Sequence, residues 1–398
     1  MNILCFIDFL GSGGAQRQLC MLAVGLKKRG HHVRFLVYHQ AEHFLHLLQA
    51  AEIPCQVLPS CSYLSRMLAI RRILRQGWQD VVLAFLEAPG LYAELASIPR
   101  RRWGLIVGER SADPGMRKGA GAWLRQAHRL ADAIICNSHT NQLMLENAFP
   151  FLEKKLGTVY NTVDLKLFCP CSDEVPPSLG DGTRPFRIVV ASSYGENKNM
   201  MHVAKALVIL KENVTAQSIL VDWYGAVPPI PLAFNRVQQF VAENGLVGML
   251  RLHPATRDIA REYAYADAVG LFSFFEGLPN VICEGMACGK PILMSNVCDA
   301  ENLVEDGKNG FLCDPSSPAD IAEKIQLLIA LSEAVRQRMG AESRKMAEQL
   351  FAEDVVIDRY ERILSMASHH EPFATDCCWP INVPDSAIAT VKRWLSEN

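Results

Sequence analysis

No stretch of this sequence stays apolar for the ~20 residues that a membrane-spanning helix needs, so the chain is not expected to cross a bilayer. No pair of Cys-x-x-Cys knuckles occurs, although there are 13 cysteines. They are scattered, with "CPC" at Cys169 and Cys171 and "CC" at Cys377 and Cys378 as the clusters. A structural zinc is therefore not expected, no metal-ligand constellation stands out, and the thiols read as free in a reducing cytosol. Charged residues make up 21% and apolar residues 49%, which excludes a disordered or collagen-like chain and leaves ordinary globular composition. The opening "MNILCFIDFLGSGG" is too short for a secretory signal and carries Asp8, so it reads as a first strand.

Charge is present but unevenly shared. Residues 1–170 hold 20 Lys and Arg against 12 Asp and Glu, and the remainder holds 20 against 30. A basic N-terminal half suits an anionic partner, either a phosphate-bearing substrate or a membrane surface. The stretch "YLSRMLAIRRILRQGW" joins apolar and basic residues and fits peripheral attachment to a membrane. The same pattern fits an amphipathic helix buried on a sheet. No feature points to nucleic acid.

Along the chain, short apolar runs alternate with helical spacing. "NILCFIDFL", "HHVRFLVY", "CQVLP", "DVVLAFL", "WGLIVGER", "AIICNS" and "LGTVYN" read as strands of the first half. "FRIVVASS", "SILVDWYG", "MLRLHP", "AVGLFSF", "PILMS" and "GFLCD" read as strands of the second. That βαβ rhythm predicts an α/β chain with parallel sheets covered by helices on both faces. The rhythm lapses at "LKLFCPCSDEVPPSLGDGTR", rich in Pro, Gly, Ser and Asp, which reads as a linker. The expected boundaries are a domain over 1–165, a linker over 166–184, a second domain over 185–350, a helix over 351–365 and a tail over 366–398. Residues 317–351 read as one long helix, capped by Ser317 ahead of Pro318, and "SAIATVKRWL" as a final helix. Two similar domains facing a central cleft is the simplest architecture, with ligands at the carboxyl ends of the strands.

The run "FFEGLPNVICEGMACGKPIL" carries most of the chemistry. "AVGLFSF" ends as a strand, Gly277 and Pro279 turn the chain, and "NVICEGMAC" continues as a helix. The N–H groups of Gly277 to Val281 at a helix start form an anion site. Glu276 lies on the loop before it, and Glu284 comes one turn into the helix. Carboxylates accept hydrogen bonds from paired hydroxyls, so a phosphate on the amides would set a sugar near one acid and a ribose near the other.

These residues resemble the Glu-x7-Glu segment of retaining glycosyltransferases with the GT-B fold, family 4 (glycosyltransferase group 1). Further segments resemble that family in the right order: "GSGGAQRQL" at its glycine-rich loop, "TVYNTVDLKLF" before its linker, and "NKN" at 197–199 where EKN is common. The resemblance covers residues 1 to about 365. It implies two Rossmann-like domains, an N-terminal one for acceptor and a C-terminal one for donor, with the helix around "YERIL" packing back on the N-terminal domain. It implies transfer of a sugar from a nucleotide diphosphate sugar, UDP or GDP, to a glycan or lipid-linked acceptor in surface polysaccharide synthesis. Glu284 would hold the donor ribose. Glu276 would meet the donor sugar. Lys198 would neutralise the leaving diphosphate. Gly277, Leu278, Pro279, Asn280 and Val281 would hold sugar and phosphate, with Gly225 and His253 at neighbouring strand ends. Gly13 and Gly14 would approach phosphate or acceptor closely, since a residue without Cβ permits it. Arg110, in "GERSADPG", would add charge toward diphosphate or acceptor, or else pair with Asp113. The family implies no metal and no cofactor, and a cytoplasmic location, at the inner face of a membrane if the attachment holds.

Two departures matter. Ser192 or Ser193 stands where relatives carry an Arg of the phosphate clamp, and Glu109–Arg110 replaces the His that many relatives place after the fifth strand. Two other readings stay open at this point: a non-hydrolysing nucleotide-sugar epimerase, and a nucleotide-sugar-binding protein without catalysis.

Overall fold

In a computed structural model, described for residues 1–59, 62–110, 122, 124–170, 184–213, 219–380, 388 and 391, the chain divides into two compact units. One comprises Met1–Thr162 with Glu353–Asn398, the other Val163–Ala352. Most of the expected linker, Asp113 and nearly all of "SAIATVKRWL" lie outside the described residues.

The first unit runs β1 (Asn2–Phe6), α1 (Gly14–Lys28), β2 (His32–Val37), α2 (Leu45–Ala50), β3 (Cys55–Val57), α3 (Tyr63–Leu74), β4 (Val81–Phe85), α4 (Glu87–Ala96), β5 (Gly104–Glu109), β6 (Ala133–Cys136), α5 (His139–Ala148) and β7 (Leu156–Thr158). The described strands form one parallel sheet of order β3-β2-β1-β4-β5-β6-β7. β4, β5 and β6 are buried at every position, as strands covered on both faces must be, which is why they read as continuous apolar runs.

The second unit runs β8 (Phe186–Ala191), α6 (Met200–Asn213), β9 (Ile219–Gly225), α7 (Leu232–Glu243), β10 (Leu250–Pro254), α8 (Ile259–Ala264), β11 (Ala268–Leu271), α9 (Asn280–Ala287), β12 (Ile292–Ser295), α10 (Ala300–Leu303), β13 (Gly310–Cys313), α11 (Pro318–Ala330) and α12 (Glu333–Phe351). Its sheet is again parallel, of order β10-β9-β8-β11-β12-β13. Strand order reverses between β8 and β11, the place where open α/β sheets bind ligands.

A last helix, α13 (Glu353–Ser368), belongs to the first unit. Ile357, Tyr360, Ile363 and Leu364 enter the core with Ile3, Leu26 and Ile106. A Cβ on Gly25 of α1 would stand 2.6 Å from Ile357 Cδ1, so the helices touch where α1 has no side chain. Arg29 at the end of α1 pairs with Asp354 at 3.0 Å and Asp358 at 2.9 Å, and His31 with Glu361 at 2.8 Å.

The expected helix over 317–351 is instead two. Ser317 caps α11 by accepting from Asp320 N at 3.1 Å, as its position before Pro318 predicts. Leu331 then turns extended, with φ −68° and ψ 143°, and Ser332 caps α12 by accepting from Val335 N at 3.4 Å. A second serine cap thus outweighs an apolar spacing that runs through the break. Ser332→Ala should cost about 1 kcal/mol of stability. An unchanged urea midpoint would show that the cap contributes nothing.

Candidate active site

The reversal point of the second sheet gathers the groups that matter. The chain leaves β8, makes a short 3₁₀ turn over Glu196–Lys198, and enters α6 through Asn199. Asn199 has φ +66°, a left-handed conformation that asparagine tolerates better than most residues. Its side-chain amide donates to Phe272 O at 3.0 Å and Pro315 O at 2.7 Å. Phe274 N donates to Asn197 O at 2.9 Å. The loop after β8 is thus tied to the loop after β11, one strand over.

That tie sets Lys198 against Glu276. The Lys198 ammonium forms an ion pair with Glu276 Oε1, and Ser273 Oγ donates to the same oxygen at 2.6 Å. Glu276 N points to Cys298 Sγ at 3.2 Å. Burial pushes the Cys298 thiol up to about 12, so it is a neutral neighbour at physiological pH. The Lys198 and Glu276 side chains remain 18% and 15% exposed, so both stay reachable by a ligand.

Gly277 and Leu278 follow on the loop, Pro279 caps α9, and Asn280 and Val281 open the helix. Glu284 is buried within α9. The glycine after it has a packing cause: a Cβ on Gly285 would stand 2.8 Å from the Val269 side chain of β11. Gly289 ends the segment at φ +68°. The helix bearing Glu284 therefore lies hard against the strand that delivers Glu276.

The outer strands place Gly225 and His253. A Cβ on Gly225 would lie 2.0 Å from Ser192 O, so the backbone of Ser192 already requires glycine there. His253 is engaged: its Nε2 meets Asp222 Oδ1 at 2.8 Å, and its ring stacks on Tyr224 at 4.5 Å. Arg187 joins that group through Asp222 at 2.6 Å and Glu262 at 2.5 Å.

Gly13, Gly14 and Arg110 belong to the other unit. Gly13 precedes α1 with φ −76°, and the space its Cβ would fill holds Gln16 Oε1 at 2.1 Å. Arg110 follows β5 and is bound rather than free. Its guanidinium donates to the Tyr360 hydroxyl and to Asn161 Oδ1 at 3.3 Å, and lies 3.8 Å over the Phe85 ring. Asn141 and Asn137 donate to the carbonyls of Glu109 (3.3 Å) and Arg110 (3.2 Å), which fixes this turn.

Sequence reasoning missed three contributors to the second unit's site: Asn199, Ser273 and Cys298. Asn199 stood inside the "NKN" stretch and Ser273 immediately before the quoted run, whereas nothing in the spacing marked Cys298. It also missed a buried ionic group beneath Glu109. His128 lies between Glu94 Oε1 at 2.7 Å and Glu109 Oε1 at 2.9 Å. Arg125 contacts Glu87 and approaches Glu109 Oε2 at 3.7 Å. Burial works against a charged His128, but the hydrogen bonds and charges of Glu109 and Glu94 outweigh it and push it up to about 10. Burial likewise opposes ionisation of Glu109, yet His128 and Arg125 hold it below the usual carboxylate range. For Glu94 burial wins, and its carboxyl is raised.

Two family models match the chain: Glycosyltransferase Family 4 over residues 12–167, and Glycosyl transferases group 1 over residues 172–346. The chain belongs to the group 1, family 4 glycosyltransferases. Its two parallel-sheet units are those of the GT-B fold. The glycosyltransferase chain is 28% identical to spore coat protein SA of Bacillus subtilis over 227 residues, 52% of this chain and 58% of that protein. The first curated relatives are matched over only 40–59% of their own lengths. A longer match, 23% identical over 83% of this chain and 89% of the relative, is to a Campylobacter jejuni enzyme. That relative is named GalNAc-alpha-(1->4)-GalNAc-alpha-(1->3)-diNAcBac-PP-undecaprenol alpha-1,4-N-acetyl-D-galactosaminyltransferase. Among solved structures, Anabaena Alr3699/HepE in complex with UDP and glucose superposes with a TM-score of 0.76. It is 22% identical, and the match covers 92% of this chain and 99% of that one.

Proposed function

We propose that the chain is a retaining glycosyltransferase that moves a sugar from a nucleoside diphosphate sugar to a glycan or lipid-linked acceptor in surface polysaccharide synthesis. The observation that carries this is the Lys198–Glu276 ion pair, set at the strand-order reversal just before α9. As the glycosidic bond to the donor diphosphate breaks, an oxocarbenium-like sugar and a dianionic leaving group develop. Fixed positive charge at Lys198 stabilises the leaving group, and the loop Gly277, Leu278 and Pro279 with the start of α9 at Asn280 and Val281 holds sugar and phosphate and adds a favourable dipole. Glu276, anchored by Ser273, takes the hydroxyls of the donor sugar, and Glu284 takes those of the ribose. Gly225 and His253 border the nucleotide.

The first unit takes the acceptor. Gly13 and Gly14 open its first helix, and Arg110, steadied by Tyr360 and Asn161, supplies charge toward diphosphate or acceptor. No metal and no cofactor take part in this scheme. The enzyme works in the cytoplasm at the inner face of a membrane. The UDP complex of the Anabaena structure and the undecaprenol in the Campylobacter relative's name support a UDP-sugar and a lipid-linked acceptor.

A panel of UDP-, GDP-, ADP- and CDP-sugars tests the reading, because a ligand that binds only the folded state raises the melting temperature. One nucleotide class should stabilise the protein, and no shift with any would end the proposal. Glu284→Ala should then weaken binding of that nucleotide by about 1.5–3 kcal/mol, the loss of a charged hydrogen-bond partner. Calorimetric titration reads the change directly.

A further inference from the structure

Arg66, near the start of α3, is a buried cation that the fold leaves without an anion. It is 9% exposed. Its guanidinium lies 4.5 Å over the Tyr38 ring and 5.5 Å over the Tyr63 ring. Among the described residues no carboxylate pairs with it and no hydrogen bond reaches its nitrogens. Arg125, also buried, has Glu87 and Glu109 beside it. Ring faces attract a cation, but they offset only part of what it loses on leaving water. The guanidinium is therefore held ready for an anion that the chain itself does not supply.

The groups around Arg66 are of the kind that bind hydroxyls. Asp8 follows β1, and Tyr38 and His39 follow β2. Tyr38 N and His39 N donate to Asp8 O at 3.1 and 3.0 Å, which joins the two strand ends at the carboxyl edge of the sheet. The Tyr38 ring meets Tyr92 of α4 edge-on at 5.7 Å. Both tyrosines are buried, and among the described residues neither hydroxyl has a hydrogen-bond partner. Burial pushes the Tyr38 hydroxyl up, Asp8 and Tyr92 add to the rise, and Arg66 opposes it, so these groups lie within reach of one another. Asp8 Oδ1 accepts from Phe9 N at 2.8 Å and Gln16 Nε2 at 3.2 Å. A carboxylate has room for further donors.

We propose that Arg66, Tyr38, Tyr92 and Asp8 form a subsite for an acidic sugar, a carbohydrate unit that bears a carboxylate or a phosphate. The anionic substituent pairs with the Arg66 guanidinium, whose planar fork matches either oxyanion. The sugar hydroxyls donate to Asp8 and exchange hydrogen bonds with the two phenols. Helices in such a sheet run opposite to the strands, so α3 begins at this same edge and turns its positive end toward it. A neutral sugar would leave the guanidinium bare, and a bare anion would meet Asp8 with nothing to donate to it. Asp8 leads into the Gly13–Gly14 loop, so the subsite adjoins the place given to the acceptor. Its reading as an acceptor subsite rests on the proposed function, but the binding of an acidic sugar does not.

Thermal shift of the full chain tests the subsite with no donor present. Glucuronate, glucose 6-phosphate, glucose and sulfate are compared at matched ionic strength. Glucuronate or glucose 6-phosphate should raise the melting temperature, and glucose should not. The larger of the two shifts tells carboxylate from phosphate. Arg66→Met should abolish the response, and Arg66→Lys should keep part of it, since a point charge remains without the fork. The ligand-free Arg66→Met protein should melt at or above the wild-type temperature, because an unpaired buried charge has been replaced by an apolar chain. A fall of several degrees would make Arg66 a structural cation and overturn the proposal. An equal response to glucose, no response to either acid, or an Arg66→Met protein that responds like the wild type would overturn it too. A response to sulfate as large as to the acids would mean that a bare anion fills the site, and the sugar assignment would fall. Nucleotide-induced stabilisation should be the same in Arg66→Met as in the wild type, since the nucleotide is assigned to the other unit. Failure of the nucleotide panel with acidic-sugar binding intact would sink only the proposed reaction, and the reverse result would sink only this subsite.

Discussion

Lys198→Ala is expected to lower kcat by about 10²–10³, the usual effect of removing one preorganised charge from a site where charge develops. Acceptor KM should change little, because the acceptor is assigned to the other unit. The expectation follows from how Lys198 is held. Its loop is fastened at Asn197 and Asn199 to the chain after β11, and its ammonium is paired with Glu276. Such a charge needs no reorganisation when the leaving diphosphate appears. The substitution is not expected to unfold the unit. Lys198 is partly exposed, and Glu276 keeps its bond from Ser273 at 2.6 Å once the ammonium is gone. Lys198→Arg should restore only part of the rate, since a planar guanidinium does not replace a compact ammonium at a fixed distance. Steady-state kinetics with a fixed donor checks this, alongside the nucleotide-induced melting shift as a measure of folding. A kcat within threefold of wild type would remove Lys198 from the reaction and leave the ion pair a structural one.

Much of this architecture is legible in the sequence. The central strands β4, β5 and β6 lie in short apolar runs because both sheet faces are covered, so the signal there is length and turn residues rather than alternation. The turn at Gly277 and Pro279 and the helix after it were legible for the same local reason. What the sequence does not display is pairing at a distance. Glu94 and His128 stand 34 positions apart, and Lys198 and Glu276 stand 78 apart. No periodicity links either pair. Glycines are ambiguous in a related way. A Cβ is excluded at Gly225 by Ser192 O and at Gly285 by the Val269 side chain. Close backbone packing and close ligand approach ask for the same residue.

The second large effect is one of stability. His128→Asn should destabilise the first unit by about 3–5 kcal/mol, because it strands Glu94 and Glu109 in the interior without their shared cation. The melting transition should fall by roughly 10 °C. The pH dependence has a definite sign. His128 is raised from 6.5 to about 10 in the folded protein, so the charged form is favoured by folding. Its contribution is fully present below about pH 6.5 and is lost as the pH rises through about 10. The gap in melting temperature between wild type and variant should therefore be widest near neutral pH and below, and should close toward pH 10 and above. Glu94 supplies the control. Its carboxyl is raised because burial outweighs His128, so it is the costlier acid to leave charged when the imidazole goes. Adding Glu94→Gln to His128→Asn should recover part of the loss, whereas Glu94→Gln alone should destabilise. A gap that stays constant from pH 6 to 10.5 would mean that His128 is neutral in the fold and that its two contacts are ordinary hydrogen bonds. The Glu109 carbonyl is bonded to Asn141 and the Arg110 carbonyl to Asn137, so the same cluster anchors the turn that presents Arg110. Loss of activity in His128→Asn at temperatures where the protein remains folded would place that anchoring within the function of the site.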